Sequence, residues 1–549
     1  MELCNDLGDL DQGALPVVTT ELTLVLICSD VAKGRPGRRM VDALRDAPMD
    51  ARVTVVHNLC AVSTKVRAVV AESGASRVVV VCRNGSEVRG EIRALLGRVG
   101  LHPSGVVVLD MMPGVESDLD RVLAMSVARI RAAVTRASGG DLTGPVHERR
   151  IRSAARFSRR GLLHPGDIER DPIANWLEDR CDRGGACHAC VYSCSNGALS
   201  HVGDQIVVEE DLCTGCGACV SACRSGAMSL GGVPIEALEA ETNVLIEESR
   251  GLISRPGVAL VCTKSSATMH LGGDWLPLEV ASIEMVSVGW PLQILAAGVS
   301  VQLVGCDDDG CVARACEIMK LCNSLVDAAA PELGRPPSNY LNDDPPDLGR
   351  ALVRPISLAR DSEFVVQFRE PEATLLALST LGVSDVFSNE RDSPVPGLAQ
   401  SPVSKLRRPW SIESSLLPLG EVTVDESRCS ACGRCAVVCP SGALAVGDVP
   451  NAAFALTLDS DSCSACGVCV LSCPESAITL RHVVNAVRLT SRHRVEVKVV
   501  DQLKCVVCGS ALAGGLATSV ISDRLAASHP QLARRLRMEV KCADCMLVQ

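Results

Sequence analysis

Aromatic residues are scarce in this sequence, where they make up 2% of 549 residues. So low a content argues against stacking platforms for nucleobases. The formal net charge is −11, and no basic domain offsets it. A nucleic-acid partner is therefore not expected.

The first residues, MELCNDLGDLDQGALP, have no apolar core of the kind that a secretory signal requires. An uncharged run at 285–304 contains Pro291 and two glutamines, and it fits a buried helix (291–297) followed by a buried strand (299–304) better than a membrane span. We therefore expect a cytoplasmic protein with no membrane span.

Cysteine is abundant, with 29 residues. Most of them recur at spacings of two or three residues, which suits metal ligation better than a disulfide framework. Three segments repeat one pattern and begin at Ile206, Val422 and Leu456. Each predicts a short strand, an acidic turn, four cysteines, a helical turn and a second strand.

The spacing Cys-x2-Cys-x2-Cys-x3-Cys is the ligand pattern of bacterial [4Fe–4S] ferredoxins, in which the fourth cysteine of one run ligates the neighbouring cluster. For the C-terminal pair of runs this rule predicts two ligand sets: Cys429, Cys432, Cys435 with Cys473, and Cys463, Cys466, Cys469 with Cys439. Zinc is the alternative, but a zinc site does not need a third cysteine at that offset followed by a crossing fourth.

The N-terminal pair of runs is less regular. Five residues, instead of two, separate Cys181 from Cys187, and Arg224 replaces the usual proline. The same rule predicts two further cubane sets: Cys181, Cys187, Cys190 with Cys223, and Cys213, Cys216, Cys219 with Cys194. A three-iron cluster that leaves Cys181 unligated is the alternative.

Two Cys-x2-Cys pairs near the C-terminus predict one tetrathiolate metal site, formed by Cys505, Cys508, Cys542 and Cys545. Zinc is the expected ion. A single rubredoxin-type iron, a further cluster or unmetallated cysteines are the alternatives.

Alternating strands and helices predict a parallel, doubly wound sheet over residues 21–137, and α/β structure returns at 233–330. In the second segment Cys262, Cys306 and Cys311 should meet at the carboxyl edge of the sheet, where a [2Fe–2S] cluster would bind. Buried cysteines without a metal are the alternative. In the first segment Cys28, Cys60 and Cys82 could converge in the same way, with Cys4 as a fourth ligand. Cysteines that lie in the core by coincidence are the alternative.

The predicted fold is multidomain α/β and α+β. Flavodoxin-like parallel α/β modules alternate with two ferredoxin-like 2[4Fe–4S] domains and precede a small zinc-ribbon-like tail. The predicted boundaries are an α/β domain at 1–140, a linker at 141–180, a ferredoxin domain at 181–232, an α/β domain at 233–330, a linker with a small connecting segment at 331–420, a ferredoxin domain at 421–485 and the Cys4 tail at 486–549.

Two families share motifs with the α/β segments. LVLICSD, HNLC and RVVVVCRNGSE resemble the N-terminal domain of the flavin-bearing, A-type component of heterodisulfide reductase, although Cys28-Ser29-Asp30 replaces that family's Cys-x-Cys-Gly. VALVC and LQILAAGVSVQLVGCDDDGC resemble the [2Fe–2S] delta subunit of methyl-viologen-reducing hydrogenase. The second resemblance implies that Cys306 and Cys311 are ligands. The departures at Ser265 and at Ala281-Ser282 then mean that Cys316 or Cys322 replaces the absent ligands or that the site is lost.

Together these features predict an iron–sulfur electron-transfer subunit that relays low-potential electrons between partner subunits of a heterodisulfide reductase/hydrogenase-like complex. The chain has no Gly-x-Gly-x-x-Gly turn, so a flavin would belong to a partner. No histidine or carboxylate constellation suggests substrate chemistry, which leaves open whether the chain is itself an enzyme. A scaffold or redox sensor with structural clusters is one alternative, and a reductase with substrate at Cys28, Cys60 and Cys82 is another.

Overall fold

The computed structural model forms two compact units, one from residues 1–142 with 153–168 and one from 143–152 with 169–549. The residues that the structure describes are 22–57, 59, 64–83, 85–111, 119–139, 148–152, 168–181, 187–203, 205–223, 225–231, 233–264, 271, 274–306, 309–329, 350–353, 366, 411–417, 419–447, 452–460, 462–485, 494–501, 504–510, 522–523, 525–526, 528–538, 541–542 and 545.

The first unit contains a parallel four-stranded sheet in the order β2-β1-β3-β4. Its strands are β1 (Thr23–Cys28), β2 (Ala51–Val56), β3 (Arg77–Cys82) and β4 (Val106–Asp110). Its helices are α1 (Ser29–Ala32), α2 (Gly34–Asp46), α3 (Thr64–Ser73), α4 (Gly85–Gly97) and α5 (Leu119–Gly139). The parallel sheet predicted for 21–137 is confirmed.

Helices cover both faces of this sheet, which explains why its central strands, β1 and β3, are apolar after their first residues, Thr23 and Arg77. Alternate residues point to opposite faces. Leu26 packs in a core that α3 and α4 complete, whereas Ile27 packs in a core that α2 and α5 complete. Cys28 and Cys82 end their strands on the α3–α4 side and are fully buried.

The second unit contains the first ferredoxin module, which we define as residues 174–230. Two strands precede the module, β5 (Glu148–Arg152) and β6 (Ile168–Pro172). The elements of the module are β7 (Ala174–Trp176), α6 (Ala189–Tyr192), β8 (Leu199–Val202), β9 (Gln205–Val208), α7 (Ala218–Ala222) and β10 (Met228–Leu230). β7 pairs with β10 and β8 pairs with β9, both antiparallel. β7 lies in the segment that we interpreted as a linker.

A second α/β sheet follows in the order β12-β11-β13-β14. Its elements are α8 (Ile235–Gly251), β11 (Gly257–Cys262), β12 (Trp275–Val280), α9 (Gly289–Ala296), β13 (Val301–Val304), α10 (Asp309–Ala329) and β14 (Arg350–Val353). The first three strands are parallel, whereas β14 joins antiparallel and was not anticipated from the sequence.

The uncharged run is the buried helix α9 followed by β13, as the sequence predicted. Every residue of α9 is buried. Within the described part of the chain, no helix is long and apolar enough to cross a membrane.

The second ferredoxin module, residues 420–485, has the same layout as the first. The remaining elements are β15 (Ser411–Glu413), β16 (Gly420–Val424), α11 (Arg434–Val437), β17 (Leu444–Val446), β18 (Ala452–Asp459), α12 (Val468–Ser472), β19 (Ile478–Asn485), β20 (Arg494–Asp501) and α13 (Pro530–Met538). β16 pairs with β19 and β17 pairs with β18, and β20 extends the second pair. The predicted strand–cysteines–helical turn–strand repeat is confirmed in all three segments.

Candidate metal centres

The second ferredoxin module encloses a cavity of about 360 Å³ between its two cysteine runs. Four cysteines line it, three from one run and one from the other: Cys429, Cys432, Cys435 and Cys473. Phe454 and Ile478 contribute apolar wall to it. The structure thus brings together the four cysteines that the crossing rule assigns to one cluster.

A second cavity, of about 320 Å³, lies in the same module. Its cysteines are Cys439, Cys463, Cys466 and Cys469, again three from one run and one from the other. α11 and α12 contact each other, and each short helix begins within one run and leads to the cysteine that crosses to the other cavity.

The first ferredoxin module contains an equivalent cavity of about 350 Å³. It is lined by the predicted set Cys194, Cys213, Cys216 and Cys219. Leu199 and Leu230 contribute apolar wall, as the matching strands do in the second module.

The fourth predicted set also gathers, although its run is the irregular one. Burial, together with negative charge on Cys223, Cys187 and Cys181, raises the pKa of the Cys190 thiol to about 12. Burial likewise raises the pKa of Cys187, and the charge on Cys466 of the second module adds to the effect. Cys181 therefore lies within electrostatic range of its predicted partners despite the longer loop.

The loop between the first two cysteines of each regular run turns through the left-handed region. Ala431 has φ 54° and Ala465 has φ 56°, and Gly215 occupies the same place with φ 67°. An alanine in this region costs on the order of 1–2 kcal/mol. Ligation would have to offset that cost. The cysteine spacing alone does not reveal that these loops are strained.

Burial disfavours thiolates in these ligand sets as long as no positive charge balances them. It raises the pKa of Cys435 to about 11 and that of Cys469 to about 12, with the charges of the neighbouring cysteines adding to it. A thiolate is nevertheless the form that binds iron. A cationic cluster core supplies the missing positive charge, so the donor set and its burial fit an iron–sulfur cluster.

Backbone amides point at the crossing sulfurs. Ala198, Leu444 and Ala477 donate their N–H groups to the sulfurs of Cys194, Cys439 and Cys473 at 3.2, 3.4 and 3.3 Å. Such hydrogen bonds stabilise negative charge on the ligand and thereby raise the reduction potential.

Two serines add a hydroxyl to this arrangement. Ser441 Oγ lies 3.6 Å from Cys439 Sγ, and Ser225 Oγ lies 3.5 Å from Cys223 Sγ. Ser441 Oγ also accepts the Ala443 N–H at 3.3 Å. When Cys439 is a thiolate, only the hydroxyl can donate in the contact between these two side chains. The sequence signal is a serine two residues after the crossing cysteine, which the cysteine spacing alone does not single out.

In the second α/β sheet, three cysteines meet at the carboxyl edge, as predicted. The sulfurs of Cys262, Cys306 and Cys311 all lie within 4.8 Å of one another. Cys262 ends β11, Cys306 follows β13, and Cys311 lies in the first turn of α10. The close contact between the Cys262 and Cys311 sulfurs raises the pKa of Cys262 and lowers that of Cys311.

The structure does not bring Cys316 or Cys322 into this group. Cys322 is fully buried and donates its thiol to the carbonyl of Val288 at 3.7 Å. The ligand replacement that the delta-subunit resemblance implies is therefore not seen among the described residues.

At the N-terminal sheet, Cys28 and Cys82 end adjacent strands, but neither belongs to a metal-binding group in the described part of the chain. Cys82 is disulfide-bonded, which removes its thiolate as a ligand. Cys4 and Cys60 lie outside the described residues.

The C-terminal cysteines form the second close group. The sulfurs of Cys505, Cys508, Cys542 and Cys545 lie within 4.8 Å of one another, and those of Cys508 and Cys542 are 3.5 Å apart. A tetrahedral zinc site with bonds of about 2.3 Å separates its sulfurs by about 3.8 Å. The N–H groups of Cys508 and Cys542 lower the pKa of Cys505 to about 6, which favours the ligating thiolate. A single ion fits this site.

The crossing arrangement predicts which double variants lose one cluster and which lose two. Cys429→Ala with Cys473→Ala should remove about four irons, whereas Cys469→Ala with Cys473→Ala should remove about eight, because only the second pair spans two sets. Iron per chain after anaerobic purification measures the loss. Cys322→Ser, which keeps a donor to Val288, should retain all the iron, and the reverse order of losses would contradict the crossing.

The Ser441 hydroxyl should raise the potential of the cluster that Cys439 ligates. Ser441→Ala should lower that potential by up to about 60 mV, because a one-electron couple converts ~1.4 kcal/mol of hydrogen bonding into that shift. Redox titration followed by EPR measures it. The neighbouring cluster is an internal control, since Glu475 replaces serine at the matching position. Ser441→Thr retains a hydroxyl and should keep the wild-type potential. An equal shift of both clusters would contradict the assignment of Ser441 to the cluster that Cys439 ligates.

The C-terminal site should hold one ion that is independent of the iron clusters. Cys542→Ala should remove that ion and leave the iron content unchanged, because the four sulfurs form a separate group. Elemental analysis measures both metals. Lys541→Ala, next to the ligand, should retain the ion, and a parallel loss of iron would argue against a separate site.

Comparison with known protein families agrees with the repeats. A sequence model of the 4Fe-4S binding domain matches residues 206–229, 422–445 and 456–479. These ranges cover the three regular runs and omit the irregular run at 181–194. No curated protein matches the chain. The chain thus contains three 4Fe-4S binding domains and is an iron–sulfur electron-transfer protein.

Proposed function

We propose that the chain is the electron-transfer subunit of a cytoplasmic, multi-subunit oxidoreductase and relays low-potential electrons between partner subunits. The supporting observation is the set of three cavities, each lined by three cysteines of one run and a fourth from its neighbour. Such crossing pairs the centres within a module. Paired centres suit a relay, whereas a sensor needs only one.

The proposed inventory is four [4Fe–4S] clusters on the four crossed sets, a [2Fe–2S] cluster at Cys262, Cys306 and Cys311, and zinc at the C-terminal group. All-thiolate clusters of this kind supply one-electron carriers of low potential, about −400 mV when bound. The chain's own residues ligate them, exclude water with apolar walls, and donate N–H and hydroxyl groups to the ligand sulfurs.

The proximity of the two modules supports a continuous path. Cys187 of the first module and Cys466 of the second are within electrostatic range, although more than two hundred residues separate them in sequence. Cys466 belongs to one set of the second module. The other set includes Cys432, which is exposed. Its cluster would thus be the one that exchanges electrons with a partner at the surface.

The finer identity rests on the resemblances. The N-terminal 140 residues would be a heterodisulfide reductase A-like domain, and residues 233–330 would be a domain like the delta subunit of methyl-viologen-reducing hydrogenase. The parallel sheets and the three cysteines at the edge of the second sheet support this proposal. The partners would then be flavin-bearing or hydrogenase/heterodisulfide reductase-like subunits, and the flavin would be theirs.

Anaerobic purification with iron, sulfide and zinc quantified, followed by EPR at graded potentials, tests the proposal. We expect about sixteen irons from the crossed sets, up to two more from the three-cysteine site, and one zinc. Electrons should equilibrate among all centres when a low-potential donor reduces the chain. Fewer than eight irons in fully anaerobic material would falsify the relay. Loaded clusters that exchange no electrons with one another would favour the structural scaffold or sensor instead.

A further inference from the structure

A short 3₁₀ turn, Ile283–Met285, lies between two of the candidate metal sites. On one side, the N–H of Ile283 donates to the sulfur of Cys311. Just before the turn, the carbonyl of Ala281 accepts a hydrogen bond from the Cys262 thiol at 3.6 Å. Ile283 and Ala281 are therefore in direct contact with two of the three cysteines of the site formed by Cys262, Cys306 and Cys311.

On its other side, the same turn packs on the first ferredoxin module. α7 contacts the turn, and Gly217, which precedes α7, lies against Met285. A Cβ atom placed on Gly217 would be 2.6 Å from Met285 Cβ and 2.8 Å from Leu230 Cδ1. Gly217 directly follows a ligand, Cys216, and lines the cavity of that set.

The turn is dry and held in place. Ile283 is fully buried and Met285 is 3% exposed, so water does not separate the two sites at this point. Ser282 accepts the N–H of Glu284 and thereby caps the turn. Glu284 also pairs with Arg314 of α10 at 3.9 Å, on the helix that contains Cys311.

We propose that residues 281–285 form the contact through which electrons pass between the three-cysteine site and the cluster of Cys194, Cys213, Cys216 and Cys219. Gly217 is the positioning residue, because its missing side chain lets Met285 approach the cluster loop. The inference rests on the proposed relay and identifies where the α/β domain joins it. In each event one electron leaves one centre and enters the other, so one is oxidised and the other reduced by one electron, and no bond or proton moves.

The chain offers a matched control in its own repeat. Gly467 occupies the same position in the second module, with φ +75° against +81° for Gly217, but nothing lies within 4 Å of its would-be Cβ. Alanine at either position therefore bears a similar backbone strain. Of the two positions, only 217 brings the new methyl group against another domain.

The test compares Gly217→Ala, Gly467→Ala and the double variant Gly217→Ala/Met285→Gly in the full, anaerobically loaded chain. Iron content is measured first. Power saturation of the EPR signal of the three-cysteine centre then reports its magnetic interaction with the adjacent reduced cubane. We expect Gly217→Ala to weaken the interaction, because the new methyl group pushes the turn and the three-cysteine site away from the cubane, and Gly467→Ala to keep it. The double variant should regain it, because removing the Met285 side chain makes room for the new methyl group.

An unchanged interaction in fully loaded Gly217→Ala, or an equal loss in Gly467→Ala, would overturn the proposal. If Gly217→Ala fails to load its cluster, the double variant decides. Recovery of iron and interaction together supports the contact, whereas recovery of iron alone, or of neither, counts against it. A wild-type chain without a paramagnetic centre at the three cysteines would instead refute the cofactor assignment in the proposed function. The positioning role of Gly217 is refuted only by the variants of a chain in which that centre is present.

Discussion

The crossing cysteine is the constraint on which each ferredoxin module depends. Because Cys439 and Cys473 each leave the run in which they begin and line the cavity of the other, neither cavity is complete until both runs have folded together. α11 and α12 pack against each other at the crossing. Assembly of one ligand set is thereby coupled to assembly of its neighbour, and the two centres of a module form at a fixed separation.

Burial has two opposite effects at these sites. It raises the pKa of thiols such as Cys190 and Cys469, which makes the sets poor at holding thiolates before a cluster binds. It also excludes water once a cluster compensates the charge. The left-handed backbone at Ala431 and Ala465 also destabilises the cysteine loops before a cluster binds. Cluster binding and local folding should therefore be one process, as is general for metal sites that do not form in the absence of metal.

The α/β sheets place cysteines at their carboxyl edges. Parallel strands bring their carboxyl ends together, which is why Cys262, Cys306 and Cys311 converge although they are up to 49 residues apart in the sequence. The same geometry at the first sheet buries Cys28 and Cys82 in the core without forming a metal group among the described residues. At the second sheet, α10 follows β13 and brings Cys311 to the two edge cysteines.

The sequence by itself predicted which cysteines gather in each of the three cavities, because the spacing of cysteines within a run and the crossing of the fourth are local properties of a short loop and its helix. It also predicted both parallel sheets and the buried helix α9, since their apolar periodicities are strong. Only the tertiary structure decided how the sites are connected. β7 and β14 are short strands that depend on partners distant in sequence, and the contact of Gly217 with Met285 joins residues whose spacing has no sequence signature. Such contacts arise from the packing of whole domains, which no local pattern encodes.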